Sequence, residues 1–232
     1  MAWEEGKPKL GICIPMLGKV SIEWAVNFSR LCSYIRVPFR YYLNKHFRID
    51  VARNRLVKDA LKDGCDRILF IDTDIYPCTY RDGKFYYRPD AVYVLWQNHY
   101  PIVSACYWSK KNCPALYELE DPKAKKPFRI LYVDIEEIAN EVFYVDAVGL
   151  GFCLIERKIF EEIDYPWFEY RVDYDFDAEE EREISEDLSF FMKVKEAIPD
   201  MKVLVDGRVI CKHEAEVHLT WGGRCEWVVL SD

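Results

Sequence analysis

Residues Arg67 to Pro77 read Arg-Ile-Leu-Phe-Ile-Asp-Thr-Asp-Ile-Tyr-Pro. The apolar run Ile68 to Ile71 predicts a buried strand that leads directly into Asp72 and Asp74. Because successive strand side chains point to opposite faces, the two carboxylates are expected on one face. Carboxylates at the end of a buried strand are costly unless a positive group neutralises them. The pattern predicts a divalent cation that also carries a phosphate ligand, because Mg²⁺ and Mn²⁺ prefer oxygen. The alternative is a turn whose Asp side chains cap the next element.

The size and charge of the chain narrow its class. Its 232 residues fit one α/β domain spanning residues 1–232, and 50% of them are hydrophobic, which is enough for a full core. The net charge of −8 argues against a general nucleic-acid binder, because phosphate affinity requires a basic surface. A local basic patch for one phosphorylated ligand remains compatible with this charge.

The apolar stretches and cysteines indicate the compartment. Met1 to Lys9 is polar and charged, unlike a signal peptide, and the longest apolar stretch, Ala147 to Ile155, has nine residues. A bilayer-spanning helix needs about 20, so we expect a soluble, cytoplasmic protein without a transmembrane segment. The nine cysteines include no Cys-x-x-Cys pair, and we expect them to be mainly buried thiols in a reducing compartment.

The order of predicted elements alternates strand and helix in the first half. A strand at Lys9–Pro15 precedes helices at Ile22–Cys32 and Val51–Lys62, the second with Asp50 as N-cap and Gly64 as C′ residue. Later predicted elements are a helix from Pro89 to about Asn98, a strand at Pro101–Tyr107, a helix at Glu186–Ala197 capped by Ser185, and final strands at Lys202–Val205 and Arg208–Cys211. This order favours a mixed sheet with helices packed around it. The acid-rich segment Asp173–Asp187 predicts a solvated acidic face or a mobile loop.

Several short motifs stand in a fixed order around Asp72-Thr73-Asp74. They are Leu10–Pro15, Ala52-Arg53-Asn54, Val148–Phe152, Ser185–Phe190, Val205-Asp206 and Cys211-Lys212-His213. In this order, over roughly residues 9–218, they resemble the glycosyltransferases of the GT-A fold, close to the family 2-like enzymes. The resemblance implies an α/β, Rossmann-like nucleotide-diphospho-sugar transferase fold with a mixed, mostly parallel sheet flanked by helices.

The resemblance also implies a metal site for Mn²⁺ or Mg²⁺. Asp74 would bind the cation directly, and Asp72 would bind it through water or touch the ribose. His213 would supply a later ligand, with His218 as the second choice. The alternative for His213 is a hydrogen-bonded histidine at a strand end, and a zinc site that includes Cys211 and Cys225 fits no standard ligand spacing.

The donor implied by the resemblance is a nucleotide-diphosphate sugar, with UDP and GDP both compatible. Pro15, Arg53, Asn54 and the Asp72-Thr73-Asp74 triplet would contact this donor, Arg53 because a guanidinium matches phosphate oxygens in pairs. A surface ion pair on a helix is the other interpretation of Arg53.

The implied catalytic residue is Asp187, which would accept the proton of an acceptor hydroxyl if the enzyme inverts configuration. If configuration is retained, Asp187 would only position substrates. The alternative is that Glu186 and Asp187 complement a helix dipole. Gly149 and Gly151, together with Glu186 and Asp187, would lie beside the sugar and acceptor, although the glycines would also suit a bulge.

The resemblance divides the chain into a nucleotide-sugar half at about 9–107 and an acceptor and catalytic half at about 108–218, with a short tail. The acceptor, a hydroxyl on a glycan, protein or lipid-linked molecule, would be shaped by Lys110–Val145, the acidic segment or a second subunit in a homodimer. No Gln-x-x-Arg-Trp segment occurs, which argues against a processive synthase. Two other classes remain: a non-catalytic sugar-nucleotide or glycan-binding protein of the same fold, and a haloacid dehalogenase-type phosphatase, whose Asp-x-Asp lies nearer the N-terminus.

Overall fold

The structure is a computed structural model that describes residues 8–16, 18–46, 48–109, 113–122, 124, 126–175, 180–214, 216–221 and 224–229, of which 173–175, 180–182, 216–221 and 224–229 are described as backbone only. The helices are α1 Ile22–Tyr34, α2 Ile49–Lys62, α3 Ala91–Trp96, α4 Ile135–Ile138, α5 Arg157–Glu162 and α6 Glu186–Ala197. The strands are β1 Leu10–Met16, β2 Phe39–Lys45, β3 Arg67–Ile71, β4 Ile75–Arg81, β5 Lys84–Tyr87, β6 Ile102–Tyr107, β7 Leu116–Leu119, β8 Phe128–Ile130, β9 Val142–Val145, β10 Ala147–Val148, β11 Phe152–Glu156, β12 Arg171–Asp175, β13 Glu180–Ile184, β14 Val203–His213, β15 Glu216–Trp221 and β16 Arg224–Val229.

Nine strands form the central sheet, in the order β2-β1-β3-β11-β6-β14-β4-β5, with β9 also paired to β14. The pairings make β1, β2, β3, β5, β6 and β14 run in one direction, and β4, β9 and β11 in the other. The predicted mixed sheet with mostly parallel strand directions is therefore confirmed. Strands from both predicted halves of the chain enter this one sheet.

The core covers both faces of the sheet, as the uninterrupted apolar run in β3 requires. Ile68 and Phe70 belong to the cluster that includes residues of α2, α5 and α6, while Leu69 and Ile71 belong to the cluster that includes residues of α1 and α3. Each set of alternate side chains is thus buried by helices. No helix among the described residues is both long enough and apolar enough to cross a bilayer.

Two helix ends confirm their predicted capping residues. Ser185 caps α6 by accepting a hydrogen bond from the backbone N–H of Leu188. Gly64 follows α2 with φ +77°, and the N–H of Cys65 donates to the Ala60 carbonyl, which is a Schellman ending. The predicted N-cap of α2 is wrong. The helix begins at Ile49 after Arg48, because Asp50 turns its carboxylate to the Arg48 side chain instead of capping the helix.

Two further expectations need correction. The interpretation of Asp173–Asp187 as a loop is wrong for its described residues, because Asp173–Asp175 pair with Glu180–Arg182 between β12 and β13, and α6 begins at Glu186. An antiparallel pair satisfies its backbone hydrogen bonds without needing an apolar face. The two predicted final strands are one strand, β14, whose pairing with β6 shifts between Val205 and Ile210. The irregular stretch holds Asp206, a buried carboxylate that accepts hydrogen bonds from Asn98 and Arg208.

Candidate active site

The Asp-Thr-Asp triplet lies in the turn between β3 and β4, and its backbone is held from three sides. The Asp72 N–H donates to the Gly151 carbonyl at 2.9 Å, and Trp24 Nε1 donates to the Asp72 carbonyl at 3.1 Å. The Glu214 N–H donates to the Asp74 carbonyl at 2.7 Å. Because β3 ends at Ile71, the expectation that both carboxylates share a strand face is wrong. The carboxylates of Asp72 and Asp74 extend from a turn instead, and each contacts different residues.

Asp74 faces the end of β14. Its Oδ2 lies 3.2 Å from Nε2 of His213, and Nδ1 of His213 lies 3.0 Å from the carbonyl oxygen of Trp108. That carbonyl can only accept, so Nδ1 carries the proton. In a neutral ring the lone pair of Nε2 then points at a carboxylate oxygen, and this contact is favourable only with a cation or a second proton between them. The two residues predicted as metal ligands are therefore adjacent.

Tyr107 supports this pair and was not identified from the sequence. Its ring meets the His213 imidazole edge-on, with centroids 5.8 Å apart, and its hydroxyl accepts a hydrogen bond from the Gly151 N–H at 3.2 Å. Burial raises the pKa of Tyr107, and the Asp72 charge adds to this effect. The hydroxyl therefore stays protonated at neutral pH. No local pattern distinguishes Tyr107 from the other aromatic residues of the core.

Glu214 was also missed. Its carboxylate accepts a hydrogen bond from the Tyr76 hydroxyl at 2.6 Å, and that hydroxyl lies 2.8 Å from Oγ of Ser21, the N-cap of α1. Since the Glu214 N–H also holds Asp74, these contacts join α1, β4 and the end of β14 around the turn. The position of Glu214, and with it the neighbouring His213, is thereby fixed relative to the turn.

Arg53 lies beneath the turn and not on the surface. Its side chain is 2% exposed, and its guanidinium faces the carboxylates of Asp72, Glu186 and Asp187. Nη2 is 3.2 Å from Asp72 Oδ2, and Nη1 is 2.8 Å from Glu186 Oε1. Although burial alone lowers the pKa of Arg53, the neighbouring carboxylates raise it above the ordinary value. The guanidinium is thus a fixed positive charge that joins α2, the Asp-Thr-Asp turn and α6.

Asp187 occupies the first turn of α6, with its two oxygens held separately. Oδ1 accepts a hydrogen bond from Arg53 Nη1, and Oδ2 accepts one from the Leu150 N–H at 3.2 Å. The side chain remains 19% exposed. A carboxylate that is oriented by two donors and still reaches solvent is suited to accept a proton from a bound hydroxyl.

Glu186 differs from its neighbour because it is only 5% exposed. Besides Arg53, it contacts the Tyr170 hydroxyl. Burial and the Glu186 carboxylate together raise the pKa of Tyr170 to about 12. The contact of Glu186 with sugar or acceptor stays a prediction, and in the structure this carboxylate ties α6 to Arg53 and to the half-exposed Tyr170.

Asn54 uses its whole amide inside the protein. Nδ2 donates to the carbonyls of Asp50 and Phe168, and Oδ1 accepts hydrogen bonds from the N–H groups of Trp167 and Phe168. The side chain therefore fixes the segment before β12 against α2. Its predicted contact with the donor is not tested by these bonds.

Gly149 and Gly151 lie against Tyr107. A Cβ on Gly149 would overlap the Tyr107 hydroxyl, and one on Gly151 would lie 3.0 Å from Ile75 and 3.1 Å from the Tyr107 ring. The lack of a side chain at both positions is thus explained by the space that Tyr107 occupies. Their predicted approach to the sugar remains a prediction.

Pro15 and Thr73 lie at the same edge of the sheet as the carboxylates. The last registered pair of β1 and β3 is Cys13 with Phe70, so Pro15 and Asp72 each lie two residues beyond it. Thr73 is half-buried in the turn. Ligands of open α/β sheets bind outside these carboxyl ends, which is where the predicted donor residues stand. The side chain of His218 lies outside the described set.

The charges of the site fit a divalent cation. Four carboxylates, those of Asp72, Asp74, Glu186 and Asp187, accompany one guanidinium, that of Arg53. Burial is the main cause that raises the pKa of Asp72, Arg53 opposes this effect, and the charges of Asp74 and Glu186 add to it. Within the described residues, no three His, Cys, Asp or Glu side chains converge to hold a metal by themselves.

Comparison with known proteins rests on structure alone. No family model matches the sequence, and no curated protein matches it. The crystal structure of A197 from STIV has a TM-score of 0.58 and 18% identity, covering 97% of this chain and 95% of that one. A structure of GalNAc-T7 with UDP, GalNAc and Mn²⁺ has a TM-score of 0.47 and 11% identity, covering 90% of this chain and 44% of that one. A glycosyltransferase involved in glycosylation of the major capsid of PBCV-1 has a TM-score of 0.34 and 13% identity, covering 69% of this chain and 70% of that one. At these identities the likeness to A197 concerns the fold alone, and with the sheet described above it confirms the predicted α/β fold of GT-A type.

Proposed function

We propose that this chain is a metal-dependent glycosyltransferase that moves a sugar from a UDP- or GDP-sugar to an acceptor hydroxyl. The observation that carries the proposal is the linkage made by Arg53. This one guanidinium contacts Asp72, in the turn that presents Asp74 to His213, and Asp187, the candidate base. Arg53 thereby connects two parts of the site. One is the Asp74–His213 pair, which is suited to bind a cation, and the other is the Asp187 carboxylate, which is suited to accept a proton.

The cation would be held by Asp74 and His213, with Asp72 binding through water or at the ribose. Mn²⁺ or Mg²⁺ bound there would supply Lewis-acid stabilisation of the departing diphosphate. Trp108 fixes the ring orientation of His213 through its carbonyl, the kind of contact that sets the tautomer of metal-binding histidines. Pro15 and Thr73 stand where the nucleotide end of a donor would bind.

Asp187 would act on the acceptor. As the new bond forms between the acceptor oxygen and the anomeric carbon, the bond from that carbon to the diphosphate breaks. The acceptor O–H proton passes to the Asp187 carboxylate. Arg53 and the Leu150 N–H orient this carboxylate, and Gly149, Gly151 and Glu186 would lie on the sugar and acceptor side.

Arg53 receives a positioning role in this proposal, in place of direct contact with the diphosphate. Its side chain is almost fully buried, and three carboxylates already face its donor groups. A donor diphosphate would have to displace these carboxylates to reach it. Asn54 likewise has a positioning role, because its amide fixes the segment before β12 against α2.

The test is a thermal-shift measurement with UDP-, GDP- and dTDP-sugars, each with and without Mn²⁺. A ligand that binds only the folded state raises the melting temperature by mass action. At a ligand concentration one hundred times Kd, the folded state gains about 2.7 kcal/mol of stability. We expect an Mn²⁺-dependent rise for one nucleotide class and its loss in Asp74→Asn. The matched control is Asp82→Asn, which removes the same charge from the exposed β4–β5 turn.

A shift that survives unchanged in Asp74→Asn would contradict the site, and the absence of any shift in folded protein would contradict the donor class. Product formation then separates the enzyme from a non-catalytic binder. Turnover that depends on the acceptor supports the transferase, whereas tight donor binding without turnover by any acceptor tested favours the binder.

A further inference from the structure

A cavity open to solvent lies near the end of α6 that is opposite to Asp187. It has a volume of about 470 Å³, and its apolar lining includes Leu119, Met192 and Pro199. Ligand pockets measure about 300–1,000 Å³, and the volume of this cavity falls within that range. Lys195 lies eight positions after Asp187, which is about 12 Å along a helix. The residues that line the cavity include none from the candidate active site.

Four charged residues line this cavity, the acids Asp146 and Glu196 and the lysines Lys195 and Lys202, and three of them are in mutual contact. Nζ of Lys195 and Nζ of Lys202 each lie 2.6 Å from the same oxygen, Oδ1 of Asp146. The other oxygen, Oδ2, accepts a hydrogen bond from the Leu119 N–H at 3.1 Å. Two ammonium groups therefore share one carboxylate. Each ammonium carries three N–H donors, so the trio keeps a net positive charge and has donors beyond those that Asp146 accepts.

The solvent exposure of the two lysines decides whether a ligand in the cavity can reach their ammonium groups. The side chain of Lys195 is 10% exposed and that of Lys202 is 47% exposed, so one ammonium is shielded and the other lies at the opening. Glu196 also lines the cavity and is exposed to solvent. Lys202 is exposed as well, so water screens the charges of both Glu196 and Lys202, and the attraction for an anion depends on the N–H donors of the two lysines beside Asp146. An anion that enters next to the apolar wall would meet the two lysines.

We propose that this cavity binds a small organic acid, with its carboxylate on Lys195 and Lys202 and its apolar body against Leu119, Met192 and Pro199. The apolar lining favours a hydrocarbon or aromatic body over a bare inorganic anion. The inference goes beyond the proposed transferase activity and does not depend on it, because none of its residues belongs to that site.

Octanoate is the probe, and octanamide, which lacks the charge, is its matched neutral analogue. Met192 provides the readout through its methyl group in protein labelled with ¹³C at methionine methyls, assigned by Met192→Leu. The chain has four methionines, and Met16 at the end of β1 is the internal reference. We expect a saturable shift of the Met192 signal with octanoate, no shift of Met16, and at least about tenfold weaker binding of octanamide, since a hydrogen bond to a charged group is worth about tenfold or more.

Two exposed substitutions are expected to act in opposite directions. Lys202→Gln should weaken octanoate binding by about tenfold, and Glu196→Gln should strengthen it by a few-fold, since it removes the acid at the opening. Lys158→Gln, which removes a lysine paired with Glu156 outside this cavity, should change nothing. The unmoved Met16 signal and the melting temperature establish that each variant is folded.

Three results would overturn the proposal. The first is the absence of a Met192 shift at about 10 mM octanoate, ten times the half-saturating concentration for a Kd of about 1 mM. The second is equal binding of octanamide. The third is unchanged affinity in folded Lys202→Gln and Glu196→Gln.

Discussion

Arg53 donates from Nη1 to Oδ1 of Asp187, although the two residues lie 134 positions apart in the chain. The contact joins the second helix of the fold to its last one. Because the same guanidinium also faces Asp72, it couples the position of the Asp-Thr-Asp turn to that of the candidate base. The arrangement of the site therefore depends on the buried guanidinium of Arg53.

Replacing Arg53 should destabilise the protein strongly. In Arg53→Met, the buried carboxylate of Glu186 and its neighbours lose their positive partner, and breaking a buried ion pair from one side costs about 3–5 kcal/mol. Urea unfolding monitored by tryptophan fluorescence measures this loss. Arg53→Lys keeps the charge but not the planar fork, so we expect a folded protein with at least about tenfold weaker donor binding.

Arg129→Met is the matched control. Arg129 also contacts two carboxylates, those of Glu118 and Glu120, but its side chain is 58% exposed. Exposed ion pairs contribute about 0–1 kcal/mol, so this variant should unfold near the wild-type urea concentration. Equal effects of the two substitutions would show that burial of Arg53 does not determine its role.

Asp187→Asn should separate binding from chemistry. The amide is nearly isosteric but cannot take up a proton, and its single oxygen can accept from only one of the two donors, Arg53 Nη1 and the Leu150 N–H, that now contact Asp187. We expect donor binding weaker by about tenfold at most, because one hydrogen bond is lost, and turnover lower by about 10²–10⁴. Donor titration and product formation measure the two quantities. Asp200→Asn, in the exposed turn after α6, is the control. Undiminished turnover in Asp187→Asn would remove this residue from the base role.

The sequence predicted the parts of this site that are local in the chain. An apolar run followed by Asp-x-Asp is visible without a fold, and so is Ser185 before a helical pattern that begins with Glu186 and Asp187. The physical signals in these segments, strand burial and helix capping, act over a few residues. The strand β3 and the helix α6 accordingly appear where they were predicted.

The contacts that assemble the site could not be predicted in this way. Gly151, Glu214 and Trp24 hold the Asp-Thr-Asp turn from three distant segments, and Tyr107 in turn contacts Gly151. Nothing in the sequence around Arg53 distinguishes a buried arginine with three carboxylates from an exposed one on a helix. Such partners are set by tertiary packing, which single-sequence patterns do not encode. The hairpin of β12 and β13 was missed because its acidic residues conceal the backbone pairing.

Gly149→Ala should show that Tyr107 occupies the space above this glycine. The new Cβ would overlap the Tyr107 hydroxyl and lie 2.8 Å from Cζ of the ring, so the buried ring must shift. Overpacking of this kind costs about 1–3 kcal/mol, and urea unfolding measures it. Gly18→Ala is the control, because no atom lies within 4 Å of a Cβ there. Its effect should stay within about 0.5 kcal/mol.

A double mutant tests the same contact. Tyr107→Phe alone removes the hydrogen bond from the Gly151 N–H and should cost about 1 kcal/mol. It also removes the hydroxyl oxygen that the new Cβ of Gly149→Ala would strike. The two substitutions together should therefore destabilise less than the sum of their separate effects, by about 0.5 kcal/mol or more. Simple additivity would place the strain of Gly149→Ala elsewhere.

Asp146 should make the stability of the protein depend on pH in the acid range. Burial by itself raises the pKa of Asp146, but hydrogen bonds from Lys195 and Lys202 hold it below the ordinary value of 3.8. A carboxyl with a lowered folded-state pKa stabilises the protein at pH values above its unfolded pKa. That contribution is lost as the pH falls from the pKa of the unfolded state, near 4, to the lower pKa of the folded state.

At neutral pH, Asp146→Asn should cost about 1.5–3 kcal/mol of stability, the range for hydrogen bonds to charged groups. Urea unfolding from pH 7 to pH 3 should show this difference shrinking below about pH 4, while Asp200→Asn stays close to wild type throughout. A difference between wild type and Asp146→Asn that is constant across this range would mean that the two lysines do not stabilise the ionised form.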